Sequence, residues 1–135
     1  MMVKKIIFIT CFMVSQFYGI SALGQVKIPP DILTAFKTGN AYELSKYFNP
    51  TLQIMLLGKE DFYKKNVAET ILKDFFASCR PKEFIVKHQG GNGDALYAIG
   101  NLKTDKGSFR VYFLLKKTDS DFLIHQIRID PDESR

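Results

Sequence analysis

The chain has 135 residues, 46% of them hydrophobic, with 12 Phe, 6 Tyr, no Trp and a formal net charge of +5. That length suits one domain built on one core. So mild a positive charge argues against a polyanion partner, and two cysteines are too few for a disulfide framework.

Lys4 and Lys5 precede an uncharged apolar stretch from Ile6 to Ile20, and Ser21-Ala22-Leu23-Gly24 follows with small residues at the positions a signal peptidase reads. This predicts a cleavable signal peptide over residues 1–24. The apolar run is shorter than the ~20 residues of a spanning helix and is broken by Thr10, Ser15, Gln16 and Gly19. No membrane span is therefore expected after cleavage. Cys11 lies inside the apolar stretch, away from the cleavage point, so lipid attachment is not expected and Cys79 is left without a partner. Loss of Lys4 and Lys5 lowers the formal charge from +5 by two. The expected address is periplasmic or extracellular, where nucleic acid is not an expected partner.

Residues 25–130 read as a single domain, followed by a polar tail over 131–135. Pro29-Pro30-Asp31 opens a first helix, since proline suits a first turn and Asp31 complements the helix dipole. Ile32, Ala35 and Phe36 fall on one face, and Gly39 is a natural left-handed stop. Asn40, with Glu43 three residues on, starts a second helix as a capping box; Leu44, Tyr47 and Phe48 form its apolar face. Residues 51–58 read as a strand and 59–64 as a charged connection. Asn66, with Glu69 three residues on, is expected to cap a third helix burying Val67, Ala68, Ile71, Leu72, Phe75, Phe76 and Cys79. From residue 82 the period falls to two, and turn residues at 90–94, 105–107 and 119–121 separate four strands. Connections that short force antiparallel neighbours. The resulting order, α-α-β-α-β-β-β-β, belongs to the α+β class.

This order resembles the nuclear transport factor 2-like superfamily, in which helices pack on the concave face of a curved, mostly antiparallel sheet to make a cone. The sequence also resembles a family of small exported bacterial proteins, domain of unknown function 4783. The segments that carry the resemblance are Ile-Pro-Pro-Asp-Ile (28–32), Ala-Phe-Lys-Thr-Gly-Asn-Ala (35–41), Leu-Lys-Asp-Phe-Phe (72–76), His-Gln-Gly-Gly (88–91), Tyr-Ala-Ile-Gly (97–100), Arg-Val-Tyr-Phe-Leu-Leu-Lys-Lys (110–117) and Gln-Ile-Arg-Ile (126–129). The resemblance implies the fold and brings no activity with it.

Strand phase nominates residues for the inside of such a cone. Phe84, Val86 and His88 share one phase, and Leu123, His125, Ile127 and Ile129 another. Both histidines thus fall on apolar phases, where they are either acid/base groups or hydrogen-bonded core residues. Tyr47 and Tyr97, with His88 and His125, are the expected ligand-binding set for a small apolar molecule; Tyr63 and Tyr112 could also line such a wall. All 14 acidic residues read as external or terminal, so an isomerase-like base would have to be His88 or His125. Two histidines lack a third ligand for a catalytic zinc, and no metal or other cofactor is expected. On the opposite sheet face Arg110, Tyr112, Leu114, Ile124 and Arg128 have the makeup of a protein interface, expected to support a homodimer.

Three functions follow as expectations. The first is an exported, non-catalytic binding or interaction domain. The second is a ketosteroid-isomerase-like or lyase-like enzyme using His88 or His125. The third is an envelope assembly factor acting through protein contacts alone.

Overall fold

The computed structural model describes residues 27–133; the expected signal peptide lies outside them. Helix α1 (Pro30–Thr38) begins with proline in its first turn and Asp31 beside it. It ends at Gly39, whose φ of 66° and ψ of 35° are left-handed. A Cβ there would come within 2.9 Å of the Pro81 ring, so both backbone and space require glycine. Helix α2 (Ala41–Ser45) is capped as expected: Asn40 Oδ1 accepts from the Glu43 backbone N–H at 3.0 Å.

Strand β1 (Phe48–Leu56) is followed by β2 (Lys59–Lys64), where the sequence suggests only a connection. Leu57 and Gly58, with φ of 52° and 86°, make the tight turn between them. Alternation fails to show β2 because Lys59, Glu60, Asp61, Phe62 and Lys64 are all exposed on an edge strand. Charges on an edge discourage pairing with other chains. Helix α3 (Lys65–Ser78) starts one residue before the expected Asn66 cap, because β2 runs straight into it and Lys64 occupies the cap position without a side-chain bond. It buries Ala68, Leu72, Phe75 and Phe76, a narrower stripe than expected, since Val67 is exposed. Cys79 follows the helix, half-buried against the core.

Strands β3 (Pro81–Gly91), β4 (Ala95–Thr104), β5 (Gly107–Thr118) and β6 (Asp121–Pro131) form the expected antiparallel meander. The sheet continues because β6 also pairs with β1, in parallel, giving the order β2-β1-β6-β5-β4-β3. The expected tail is partly ordered. Pro131 pairs with Phe109, and the Asp132 N–H donates to the Ser108 carbonyl at 3.0 Å.

All three helices lie on one face of this curved sheet. Between the layers sit Phe48, Leu52, Ile54, Leu102, Val111, Phe113, Leu115, Ile124, Ile127 and Ile129 from the strands, each at most 2% exposed. Phe36 is the centre of this core: its ring lies 5.4 Å from Phe113, 5.1 Å from Phe84 and 6.3 Å edge-on from Phe76. Gly100 makes room for this, since a Cβ there would stand 2.6 Å from the Phe84 ring. The concave side is thus occupied by packed phenylalanines, each interlocked pair adding roughly 0.5–1.5 kcal/mol beyond its buried area.

Candidate functional site on the outer sheet face

Two β-bulges decide where the candidate residues stand. In β3, Val86 pairs with Gly100 but His88 pairs with Ile99, so Lys87 is an extra residue and the strand changes phase there. Phe84 and Val86 pack on the core, whereas His88 lies exposed on the outer face with Ile99. In β6, Ile124 pairs with Leu115 and Gln126 with Leu114, which makes His125 the inserted residue. Ile124 is consequently buried in the core at 0% exposure. Its expected place on the interface is corrected, because the inserted residue shifts Ile124 into phase with Ile127 and Ile129. The three-residue spacing from Ile124 to Ile127 was the available sign of that insertion.

His125 is half-buried, and its Nε2 has no hydrogen-bond partner among the described residues. Burial pushes its imidazole below the usual histidine range, and the nearby Lys116 charge adds to the effect. Tyr47 belongs to the helical layer, where its hydroxyl donates to Asp31 Oδ2 at 3.3 Å. Burial and then the Asp31 charge raise its phenol above the ordinary value. Tyr97 stands on the outer face, its ring over Gly90 and 6.4 Å from that of Tyr112. Tyr47, Tyr97, His88 and His125 therefore do not converge on one site, and the two imidazoles sit at different bulges. Among the described residues, no group of three or more His, Cys, Asp or Glu is placed to hold a metal ion.

What the fold does assemble is the outer face. Strand register aligns Met55, Arg128, Tyr112 and Ile99 in one row across β1, β6, β5 and β4. A second row holds Gln53, Gln126, Leu114 and Tyr97, and a third Asp130, Arg110 and Asn101. Met55, Ile99, Tyr97, Tyr112 and Leu114 are half-buried, while Arg110 and Arg128 are exposed. Arg128 Nε donates to Asp130 Oδ2 at 2.7 Å, and Asn101 Nδ2 donates to Asp132 Oδ2. The Arg110 guanidinium makes no hydrogen bond or ion pair among the described residues. The expected interface residues Arg110, Tyr112, Leu114 and Arg128 are brought together here. The sequence reading did not single out Met55, Ile99, Asn101 and Asp130, because pairing of β6 with β1 and β4 with β5 is needed to place them.

The family model described as "Domain of unknown function (DUF4783)" matches residues 29–130. The chain is similar to a DUF4783 family protein from Bacteroides ovatus ATCC 8483, with 38% identity and a TM-score of 0.77, covering 79% of this chain and 97% of that one. A DUF4783 family protein from Bacteroides uniformis ATCC 8492 is 34% identical with a TM-score of 0.77, covering 80% and 100%. An NTF2-like protein of unknown function from Shewanella baltica OS155, 13% identical with a TM-score of 0.61 over 78% and 88%, shares the fold. No curated protein matches the chain in sequence.

Proposed function

The chain belongs to the DUF4783 family, and from that premise we propose that it is an exported, non-catalytic interaction domain whose working surface is the outer sheet face. One observation carries this reading. The concave side is packed with Phe36, Phe76, Phe84 and Phe113, while the opposite face presents Tyr, Met, Leu, Ile and Arg side chains together. Aromatic residues, Met and Arg are the residues enriched at protein interfaces, and Lys is depleted there. Here Lys103 and Lys116 stand at the ends of β4 and β5, outside the apolar rows. The dispersal of the two histidines gives acid/base catalysis no shared centre. Export is supported by the amino-terminal pattern of charge, apolar run and small residues.

Photo-crosslinking in the producing cells tests the reading. A photoreactive phenylalanine analogue at Ile99 gives a covalent protein adduct, whereas the same analogue at Lys73, exposed on α3, gives none. Equal adducts at both positions, or none at Ile99, overturn it.

A further inference from the structure

We infer that the Asn92-Gly93 pair, in the turn between β3 and β4, is a self-modifying site. There the Asn92 amide is converted to aspartate and isoaspartate by the neighbouring backbone and water, independently of the role proposed for the outer face. Two glycines flank Asn92 in this exposed turn, and they differ. Gly91 has a φ of 132°, and a Cβ there would stand 2.1 Å from the Ala95 carbonyl oxygen, so the hairpin requires glycine. Gly93 meets no such demand: its φ lies outside the positive region, and a Cβ there would meet nothing within 4 Å. What its missing side chain leaves open is the approach of its own nitrogen to the Asn92 side chain. Asn40, Asn49, Asn66 and Asn101 are followed instead by Ala, Pro, Val and Leu, whose side chains or ring obstruct that approach.

The turn also holds the reacting groups together. Asn92 Oδ1 accepts from the Asp94 N–H at 2.8 Å and from the Ala95 N–H at 3.1 Å, so the side chain closes an Asx turn around Gly93. Both donors polarise the Cγ carbonyl, and they stand where negative charge collects when Cγ is attacked. Asn92 Nδ2 and the Gly93 N–H make no hydrogen bond among the described residues. The leaving group is thus free to depart, and the nucleophile's proton is open to solvent. A solvent base takes the Gly93 amide proton as its nitrogen bonds to Asn92 Cγ. Oδ1 then returns its charge, the Cγ–Nδ2 bond breaks, and Nδ2 leaves as ammonia with a proton from water. Water next opens the cyclic succinimide at either carbonyl. Breaking the bond from Cγ to the Gly93 nitrogen gives aspartate. Breaking the bond from the residue-92 backbone carbonyl carbon to that nitrogen gives isoaspartate, with the main chain routed through the former side chain. In sum, water replaces ammonia and one negative charge appears.

The two products act differently on the hairpin. Aspartate keeps the acceptor for the Asp94 and Ala95 N–H groups. Isoaspartate lengthens the main chain between Gly91 and Gly93 and abolishes the Asx ring. The Asn92 N–H donates to the Ala95 carbonyl at 2.8 Å, and the Lys117 N–H on β5 donates to the Asp94 carbonyl at 2.8 Å. These are the bonds that a lengthened turn loosens.

Mass spectrometry tests the site after incubation of the purified protein in water enriched in heavy oxygen. Trypsin, used afterwards in ordinary water, releases His88–Lys103 as one peptide that also holds Asn101, a control in the same molecule. Residue 92 should exchange its NH2 for a heavy-oxygen OH, appearing as two chromatographic peaks of equal mass, while Asn101 keeps its amide. The conversion should be faster at alkaline than at mildly acidic pH, because the nucleophile must lose a proton. Gly93→Leu should melt as the wild type does, since the added Cβ meets open space, and should slow the conversion on the order of 100-fold by obstructing the attack. If Asn92 keeps its amide as long as Asn101 does, or folded Gly93→Leu converts at the wild-type rate, the site is overturned. In the isoaspartate-bearing fraction, amide hydrogen exchange at Ala95 and Lys117 should be about tenfold faster than in fresh protein, the worth of one hydrogen bond. Unchanged exchange at both would contradict the loosened turn.

Discussion

Replacing Phe36 by alanine tests the packed interior directly. Phe36 is 0% exposed, and its ring contacts those of Phe76, Phe84 and Phe113. Truncating a fully buried phenylalanine costs about 3–5 kcal/mol, because transfer energy is lost and the neighbours close in only partly. With three aromatic partners removed from one ring, we expect the upper part of that range. Domains of this kind hold ~5–15 kcal/mol in total, so the variant should fold but melt on the order of 20 °C lower. Urea unfolding of both proteins measures the difference. The variant should also contain a dry apolar cavity on the order of 100 Å³, able to take benzene. Benzene should therefore raise the variant's midpoint and leave the wild type unchanged. A loss near 1 kcal/mol, the middle of ordinary substitutions, would refute the central place given to Phe36. Equal stabilisation of both proteins by benzene would show that the interior already holds a void.

Gly100→Ala sets a methyl 2.6 Å from the Phe84 ring and 2.9 Å from the Ile85 carbonyl oxygen; a loss of about 1–3 kcal/mol is expected by thermal melting, and neutrality would contradict the close approach. Asn40→Ala removes the acceptor for the Glu43 N–H and should cost about 1 kcal/mol in urea unfolding, with Asn40→Asp close to neutral; equal losses for both would argue against the cap. His125 has a lowered folded-state pKa, from burial first and Lys116 second. The unfolded chain therefore takes up a proton near ~6.5 before the folded one does, so stability falls as pH drops below that value and levels off below the folded-state pKa. The wild-type minus His125→Leu difference, measured by urea unfolding between pH 8 and pH 5 (about 1.5 units either side of ~6.5), should decline on the acid side; a flat difference would contradict the burial of Nε2.

The helical half was legible because its signals are local. Gly39, the Asn40 cap and the Ile32, Ala35 and Phe36 stripe each depend on residues within one turn. The meander was legible from period-two alternation and turn chemistry. What escaped depends on distant partners. Strand β2 carries charges because it is an edge, so it reads as a loop until β1 is placed beside it. The bulges at Lys87 and His125 each add one residue, which reverses the assignments on one side of the insertion, after Lys87 on β3 and before His125 on β6. That is why His88 was expected inside and Ile124 outside. The candidate face was half legible: alternation on β5 named Arg110, Tyr112 and Leu114. Met55 joined it only through the parallel pairing with β6, and Tyr97 only through its register with Leu114.

The central claim is that the outer face, opposite the helices, is covered when the protein is at work. Cysteine footprinting tests it most directly. In a Cys79→Ser background, Arg110→Cys and Lys73→Cys place one thiol on each side of the molecule, both at positions exposed in the isolated chain. A small maleimide should label both equally in dilute purified protein. In intact producing cells, labelling at position 110 should fall at least tenfold while position 73 stays reactive. Equal labelling at both positions in cells would contradict the claim.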